Sequence, residues 1–229
     1  HIEQITEFVD PYLKECGFQL LKKIPEINFN GFGGVSGAER QRIVICPDYL
    51  EPDETMAQIC LIRFGGKLQH INYSHRDFLG ALLALGIKRE KVGDIYPITD
   101  GFVVVVSKEI AQYLFLETIK IKGVPLKAEE IKPGQWEPTL QAGKIFNTTV
   151  SSPRLDAIVA HGFGISRTKV TGFIKGGKVR VNWQVIEDID YQCAENDIIS
   201  FRGKGRIKII SIGGQTNKGR LKVTISRYV

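Results

Sequence analysis

The clearest pattern of apolar and polar positions lies in the segment 151–206, where two short helices are predicted ahead of a strand. Ser152-Pro153 predicts the first helix start, because a serine caps free N–H groups and a proline suits the first helical position. We expect that helix to end near Gly162. Ser166 predicts the cap of the second helix, which Gly176-Gly177 ends. The periodicity therefore indicates a small α/β unit in this part of the chain.

Cations fall on one predicted side of these elements. Arg167 and Lys175 recur at helical spacing on the face of the second helix that is opposite its apolar residues. The next segment alternates strictly, so two valines point one way while Lys178, Arg180 and Asn182 point the other. The pattern thus predicts a row of cations and one amide on a single surface. Such a surface suits a phosphate backbone, and the alternative interpretation is an ordinary solvated basic face.

The charge of the chain is concentrated in its C-terminal part. The 229 residues carry a formal net charge of +6. Residues 151–229 contain 14 Lys and Arg against 6 Asp and Glu, whereas residues 1–150 contain 17 against 19. A basic part beside a near-neutral part fits a nucleic-acid contact in the basic part. Alternating strands at 207–210 and 221–228 are predicted to extend it by a hairpin.

The preceding residues predict an α+β fold. A hairpin over 27–46 is followed by the order strand, helix, strand, strand, helix, strand, which ends at residue 131 and is typical of a ferredoxin-like sandwich. Residues 2–23 show helical spacing, with Pro11 beginning a second helix, and residues 108–122 are also predicted to be helical. The predicted organisation is an N-terminal helical segment, a ferredoxin-like domain, a linker and a basic C-terminal domain, at 1–24, 25–135, 136–150 and 151–229.

Two motifs in the N-terminal part invite a catalytic interpretation. The run GFGGVSGAER at 31–40 lacks the lysine of a phosphate loop, and Ser36 replaces the third glycine of a dinucleotide fingerprint. A tight turn is therefore predicted there. The HRD sequence at 75–77 is similar to a kinase catalytic loop, but the asparagine expected five residues later is a leucine. Ser74 or Asp77 is instead predicted to cap a helix.

The remaining composition predicts no further chemistry. The four cysteines include no C-x-x-C pair and no histidine falls at metal-ligand spacing, so we predict reduced, mostly buried thiols, no metal site and no cofactor. No apolar run reaches the length of a membrane helix, and we expect an intracellular protein without membrane insertion. His1 in place of a methionine predicts that a targeting peptide or a further segment precedes it.

The C-terminal motifs carry a family resemblance. Arg154-Leu155-Asp156, Ser166-Arg167 and the VRVN run before Trp183 resemble the S4-type RNA-binding domain, in which a glycine typically stands where this chain has Trp183. The tail RGKGRIKI…NKGRLKVTISRYV is more specific. Together with GGVSGAER and HRDFLGALLALGIKREKVGDI, it resembles the YlmH family, and within that family the cyanobacterial and plastid branch of photosystem II S4 domain proteins. The resemblance covers nearly all of residues 28–229.

The resemblance implies a ligand, partners and a set of site residues. An S4 domain implies structured RNA, either ribosomal RNA or transfer RNA. The YlmH family implies the large ribosomal subunit carrying a stalled peptidyl-tRNA, as in ribosome-associated quality control, and an RNA-recognition-motif-like middle domain, although the aromatic RNP1 signature is absent here. The branch implies the chloroplast stroma or the bacterial cytoplasm. The predicted RNA-binding residues are Arg154, Ser166, Arg167, Lys169, Lys175, Lys178, Arg180, Asn182, Arg202, Lys204 and Arg206. The family-signature residues of undetermined role are Gly34, Glu39, Arg40, His75, Arg76 and Asp77.

We therefore predict a monomeric, non-catalytic RNA-binding protein of the translation apparatus. Arginines bind phosphates bidentately, and Asn182 can read a base edge or a 2′-hydroxyl. Two alternatives stay open. One is an RNA-modifying enzyme with His75 and Asp77 among its catalytic groups, and the other is an assembly factor for photosystem II. Arg167 and Arg180 are expected to be free surface residues, so replacing either with Ala should leave the free energy of unfolding unchanged within about 0.5 kcal/mol.

Overall fold

The chain divides into two units, over residues 1–139 and 140–229. The computed structural model describes residues 3–68, 71, 73–132, 134–139 and 143–228. The division falls within the predicted linker 136–150. Part of that linker is a strand of the second unit, since residues 144–150 pair with the C-terminal strand. Each unit has its own hydrophobic core.

The described elements of the first unit run in chain order. They are β1 (Gln4–Ile5), α1 (Pro11–Leu21), β2 (Ile27–Phe32), β3 (Arg42–Pro47), β4 (Ile59–Gly65), α2 (His75–Ala84), a single 3₁₀ turn (Arg89–Lys91), β5 (Val92–Ile98), β6 (Gly101–Ser107), α3 (Lys108–Leu116), β7 (Lys120–Ile121), β8 (Val124–Pro125) and β9 (Lys127–Ile131). The strands β1, β3 and β2 form one sheet, and β5, β6, β4 and β9 form another in that order.

The second of these sheets confirms the ferredoxin-like prediction. Its chain order is strand, helix, strand, strand, helix, strand, and every neighbouring pair is antiparallel. Both helices cover one face of the sheet, because Phe78 and Leu82 of α2 and Leu114 of α3 lie in one cluster with Phe64 and Val104 of the strands. The continuous apolar run of β6 is buried throughout, as expected for a central strand.

The opposite face of this sheet is partly covered by the unit's own side chains. Phe8, Leu61 and Val105 are buried together there, with Tyr96 and Trp136 packed against them. An RNA-recognition motif stacks bases on aromatic side chains of its sheet. Phe8 lies against the sheet strands that such bases would approach, which agrees with the absence of the aromatic signature.

Two predicted helices differ in the structure. The helix expected before Pro11 is wrong, because Gln4 and Ile5 form β1 and pair with β3. Asp10 caps α1 by accepting a hydrogen bond from the Leu13 amide at 2.9 Å, so the helix begins only at Pro11. The helix predicted over 108–122 ends at Leu116. Beyond it the chain turns in the small hairpin of β7 and β8.

The second unit is a single sheet with two helices on one face. Its described elements are β10 (Lys144–Val150), α4 (Leu155–Phe163), α5 (Arg167–Lys175), β11 (Val179–Val181), β12 (Gln184–Val185), β13 (Ile198–Phe201), β14 (Gly205–Gln215) and β15 (Leu221–Tyr228). The strand order is β10, β15, β14, β13, β11, β12. Ile158 of α4 and Val170 of α5 share the core with Val179, Ile207 and Ile225 of the strands. The predicted C-terminal hairpin is confirmed as β14 and β15.

Burial of the cysteines also agrees with the sequence. Cys46, Cys60 and Cys193 are buried and Cys16 is half-buried, and all four are free thiols. Among the described residues, no helix is both long and apolar enough to cross a membrane.

Candidate nucleic-acid interface

Helix α4 begins two residues later than the sequence predicted. Arg154 occupies the N-cap position without a side-chain capping bond, and the helix starts at Leu155. The Leu155 amide donates to the Tyr191 carbonyl oxygen at 2.9 Å, so a loop supplies the acceptor that a capping side chain otherwise provides. The predicted cap at Ser152 is therefore wrong. The helix ends at Phe163, where Gly164 takes the left-handed conformation with a φ of 66°.

Asp156 holds the two helices together. Its side chain is only 5% exposed. Arg167 at the start of α5 donates from Nε and Nη2 to its two oxygens at 2.9 and 3.0 Å. Arg154 donates to the same oxygens at 3.3 and 3.2 Å and also pairs with Asp190. The hydrogen bond with Asp156 raises the pKa of Arg154. A bidentate pair fixes the orientation of the guanidinium, so Arg167 positions α5 against α4.

Arg167 is therefore not the free surface residue that the sequence predicted. Half of its side chain, 48%, remains exposed, and Nη1 takes no part in the bonds to Asp156. The residue thus forms a structural ion pair, and its contact with RNA stays a prediction.

The other cations of α5 face solvent. Lys169 and Lys175 are exposed and make no ion pair or hydrogen bond with any described residue. Val170 and Ile174 lie on the opposite side of the helix and are buried in the core. Ser166 occupies the N-cap position, as predicted, but its hydroxyl makes no capping bond. The helix therefore presents two uncommitted ammonium groups to solvent.

The strand β11 turns its cation away from the helices. Val179 and Val181 are buried in the core beneath α4 and α5, so the alternation of the strand places Arg180 on the other face of the sheet. Arg180 lies opposite Ser200 in the register of β11 and β13. The single surface predicted from the sequence is thus wrong in this respect. The predicted RNA-binding residues therefore lie on both faces of the sheet, with those of α5 on one face and Arg180 on the other, near the edge that contains β11.

A groove lies at that edge. Its volume is about 290 Å³, and it is lined by Gly177, Lys178, Arg180, Ser200, Phe201 and Arg202. The Lys178 ammonium lies 5.2 Å from the centroid of the Phe173 ring on α5, which connects the groove to the helical side. Arg202 and Lys204 are exposed in the turn between β13 and β14. The groove is therefore lined by three cations, Lys178, Arg180 and Arg202.

Asn182 has a structural role in the turn that follows β11. Its side-chain nitrogen donates to Asp197 at 2.8 Å, and its side-chain oxygen accepts from the Ile198 amide at 2.9 Å. Asn182 and Trp183 both have positive φ, 47° and 68°, and form the two-residue turn between β11 and β12. This turn explains why the S4 pattern has a glycine at the position of Trp183. Asn182 is nevertheless exposed, and its contact with RNA stays a prediction.

Arg206 lies on the sheet face that carries Arg180. Its Nε donates to the Ser200 hydroxyl at 3.2 Å, and its guanidinium lies 5.6 Å from the centroid of the Trp183 ring. Ser200 is opposite both Arg180 and Arg206 in the sheet. The two arginines are therefore neighbours across one strand.

The glycine-rich signature of the first unit forms a turn that packs against the unit's own sheet. Gly34 has a φ of 76°, and a Cβ there would lie 2.8 Å from a side-chain carbon of Ile59. An Asp94 oxygen accepts from the Glu39 amide at 2.6 Å, and burial raises the pKa of this carboxyl. Arg40 donates from Nη2 to the Phe8 carbonyl oxygen at 2.6 Å. These contacts fasten the turn and the N-terminal segment to the sheet.

The HRD sequence starts α2. Ser74 is the N-cap, and Asp77 at the third helical position completes a capping box by accepting from the Ser74 amide at 2.8 Å. The hydrogen bond from the Ser74 hydroxyl lowers the pKa of Asp77. The predicted cap is confirmed. His75 and Arg76 are exposed in the first turn. No cluster of three or more metal-binding side chains occurs in the part of the chain that the structure describes.

Comparisons with known proteins cover both units. Residues 52–134 match the family model described as "Putative RNA-binding domain in YlmH", and residues 153–199 match the S4 domain. A protein of Bacillus subtilis (strain 168), named "Ribosome-associated protein quality control protein P2", is 32% identical over 226 residues, which are 98% of this chain and 87% of that protein. The chain belongs to the YlmH family of S4-domain RNA-binding proteins. A solved structure named "Cell division protein ylmH from Streptococcus pneumoniae" is 22% identical, with a TM-score of 0.48 over 57% of this chain and 79% of its own.

The sequence reasoning missed three residues of the second unit, namely Lys208, Lys222 and Asp156. The S4 match stops at residue 199, before β14 and β15. Lys208 and Lys222 lie on these strands and were not singled out, although strand alternation places both on the face of Arg180. Asp156 was also missing from the predicted site, although it lies in the motif Arg154-Leu155-Asp156. Its spacing from two arginines, in Arg154-Leu155-Asp156 and at Arg167, was the available signal.

Proposed function

We propose that this YlmH-family protein binds structured RNA through α5 and the groove at the edge of its second unit. The observation that carries the proposal is a set of exposed cations that have no acidic partner among the residues that the structure describes. Lys169 and Lys175 on α5 are joined through Lys178 to the groove that Arg180 and Arg202 line. Ammonium and guanidinium groups held at fixed positions on a rigid unit neutralise phosphates and release counterions.

We further propose that the RNA is ribosomal RNA or transfer RNA and that the partner is the large ribosomal subunit. The name of the Bacillus subtilis relative, a ribosome-associated quality control protein, supports a role in that process. The match of both units to RNA-binding families supports it too. We propose the bacterial cytoplasm or the chloroplast stroma as the compartment, and a monomer as the acting form.

We propose that the protein acts without catalysis. Asp77 is bound to the Ser74 cap, and the Glu39 and Arg40 amides are bound to Asp94, so these signature residues serve the fold of the first unit. A catalytic carboxylate would instead need to point into a substrate site. The structural contacts of these residues therefore favour a binding protein over an RNA-modifying enzyme.

Binding to naked RNA tests the proposed site. The full chain with Lys169→Ala and Lys175→Ala is compared with the wild type for binding to purified transfer RNA and large-subunit ribosomal RNA, between about 50 and 200 mM salt. Each lost phosphate contact should lower the slope of log K against log salt by about 0.7 to 0.9. Lys127→Ala serves as the control, because its side chain is 82% exposed and it lies in the first unit.

Two results would count against the proposal. Equal loss of affinity in the Lys127→Ala control would mean that α5 contributes no more than the first unit, which also matches an RNA-binding family. Unchanged affinity in the α5 variant would place the RNA elsewhere. Cosedimentation of the wild type with large ribosomal subunits, set against small subunits, tests the partner. Equal binding to both subunits would refute the large-subunit proposal.

A further inference from the structure

The sheet of the second unit carries a polar concavity on the face turned away from α4 and α5. Its volume is about 470 Å³, and its lining residues are Asn147, Thr148, Thr149, Ser211, Gly213, Lys222 and Thr224. All of them belong to β10, β14 or β15. The S4 match covers only residues 153–199, so the concavity is formed entirely by strands outside it. It lies on different strands from the groove beside β11.

The sheet register explains why polar side chains converge there. Thr224 on β15 is opposite Asn147 on β10 and Ser211 on β14, and Lys222 is opposite Thr149. The intervening Val223 is buried in the core, so alternation turns Lys222 and Thr224 outward. The Thr224 hydroxyl donates to the Asn147 side-chain oxygen at 2.9 Å. That bond orients the amide and leaves its nitrogen without a hydrogen bond to any described residue.

Cations surround and approach the concavity. Arg220 donates to the carbonyl oxygen of Thr149 at 2.6 Å and to its hydroxyl at 3.1 Å, which holds the guanidinium at the rim. Lys208 is on the same face, opposite Ser226 in the register. None of the lining residues is acidic. Arg206 continues this row towards Arg180, through the register partner Ser200.

We propose that this concavity binds the sugar–phosphate backbone of an RNA strand, as a second contact separate from α5. Lys222 and Arg220 supply charge for phosphates, and the hydroxyls of Thr224 and Ser211 supply donors and acceptors for phosphate oxygens and 2′-hydroxyls. No aromatic residue lines the concavity, so it suits a backbone and not stacked bases. The inference rests on the proposed RNA-binding function.

The spacing of the sheet lets one RNA reach both sites. Three strand steps separate β11 from β15, through β13 and β14, which is roughly 14 Å at about 4.8 Å per step. Arg206 and Lys208 lie on the face between them. This basic face therefore connects the concavity with the groove beside β11, while α5 lies on the opposite side of the sheet.

Footprinting of naked large-subunit ribosomal RNA by hydroxyl radicals tests the inference with the full chain. The variant combines Lys222→Ala with Thr224→Val, which keeps the shape and strand preference of the threonine. Lys144→Ala is the control, because Lys144 is exposed on the same sheet. Lys144 is opposite Arg227 in the register, and strand alternation places this pair on the sheet face away from Lys222 and Thr224. We expect affinity on the order of tenfold lower for the variant than for the control, a salt slope lower by about 0.7 to 0.9, and loss of one protected RNA segment.

The outcomes separate this inference from the proposed function. The RNA segment that loses protection in the Lys169→Ala and Lys175→Ala variant should stay protected in the concavity variant. The segment that loses protection in the concavity variant should stay protected in the α5 variant. If the wild type protects no RNA, the proposed function and this inference both fail. If the α5 variant loses RNA while the concavity variant equals Lys144→Ala, only this inference fails. If the concavity variant binds naked RNA normally but loses intact large subunits, the face contacts a protein and the inference is wrong. Lys222→Glu should exceed the loss seen with Lys222→Ala, and a smaller loss also overturns it.

Discussion

Replacing Arg167 with Ala should destabilise the second unit by about 2 kcal/mol. The change removes hydrogen bonds of 2.9 and 3.0 Å to a carboxylate that is 5% exposed. Hydrogen bonds to charged groups contribute about 1.5 to 3 kcal/mol. Because 48% of the Arg167 side chain is exposed, water offsets part of this gain, and Arg154 still donates to Asp156. A loss of about 2 kcal/mol corresponds to a melting temperature roughly 8 to 16 °C lower for a unit of this size.

The chain offers a direct assay for this unit. It has two tryptophans, Trp136 in the first unit and Trp183 in the second. In a Trp136→Phe background, the fluorescence of Trp183 during urea unfolding reports the second unit alone. Arg180→Ala is the matched control, because Arg180 is exposed and makes no ion pair with a described residue. Its free energy of unfolding should stay within about 0.5 kcal/mol of the parent.

The double-mutant cycle with Asp156→Ala isolates the pair. The coupling free energy between Asp156 and Arg167 should be about 1 to 3 kcal/mol. Arg167→Lys should recover little of it, since an ammonium cannot form two parallel bonds to one carboxylate. If Arg167→Ala is as neutral as Arg180→Ala, or the cycle shows no coupling, the pair does not hold α5 against α4 and the reasoning is refuted.

Three further outcomes are expected. Asn182→Ala should lower the free energy of unfolding of the second unit by about 1 to 2 kcal/mol, because it removes two hydrogen bonds at a residue with a φ of 47°. The preference of the protein among RNAs should stay unchanged. An altered preference with normal stability would instead support a role of Asn182 in reading RNA. Asp77→Asn should lower the melting temperature of the first unit above about pH 4 and leave RNA affinity unchanged. Because the folded pKa of Asp77 is lowered, its contribution is present above the unfolded pKa and disappears as pH falls through the folded value, and a difference that persists in acid contradicts this. Burial raises the pKa of Cys193 to about 12, so alkylation near pH 8 should label half-buried Cys16 well before Cys193, as mass spectrometry of the digest will show.

The sequence predicted the elements whose cause is local. Side-chain spacing within a few residues predicts the two helices after residue 151 and the alternation of β11. It also predicts the order of strands and helices along the first unit. The capping box at Ser74 and Asp77 is also a local signal. These features depend on neighbours along the chain, and a pattern therefore contains them.

The errors arose where distant residues decide the outcome. Gln4 and Ile5 carry a helical pattern but pair with β3, about 40 residues later, and the pairing outweighs a short helix. Leu155 finds its amide acceptor at Tyr191 and so needs no cap from Ser152. The bonds of Asn182 to Asp197 and to the Ile198 amide were not predicted, because these two residues lie just before and at the start of β13, which pairs with β11. Sequence spacing does not contain such contacts.

The buried carboxylates of the second unit explain how its charged residues are divided. Asp156 is 4% exposed and Asp197 is 8% exposed, and both are bound by side chains or amides of the same unit. Planar guanidinium groups suit the fixed geometry of Asp156, so an arginine is needed at the start of α5. The compact ammonium groups of Lys169 and Lys175 need no fixed partner and stay hydrated until a phosphate replaces the water. Two of the six acids in residues 151–229 are thus turned inward, whereas Glu187, Asp188, Asp190 and Glu195 are exposed. The arginine that binds Asp156 also sets the helix from which the two lysines extend.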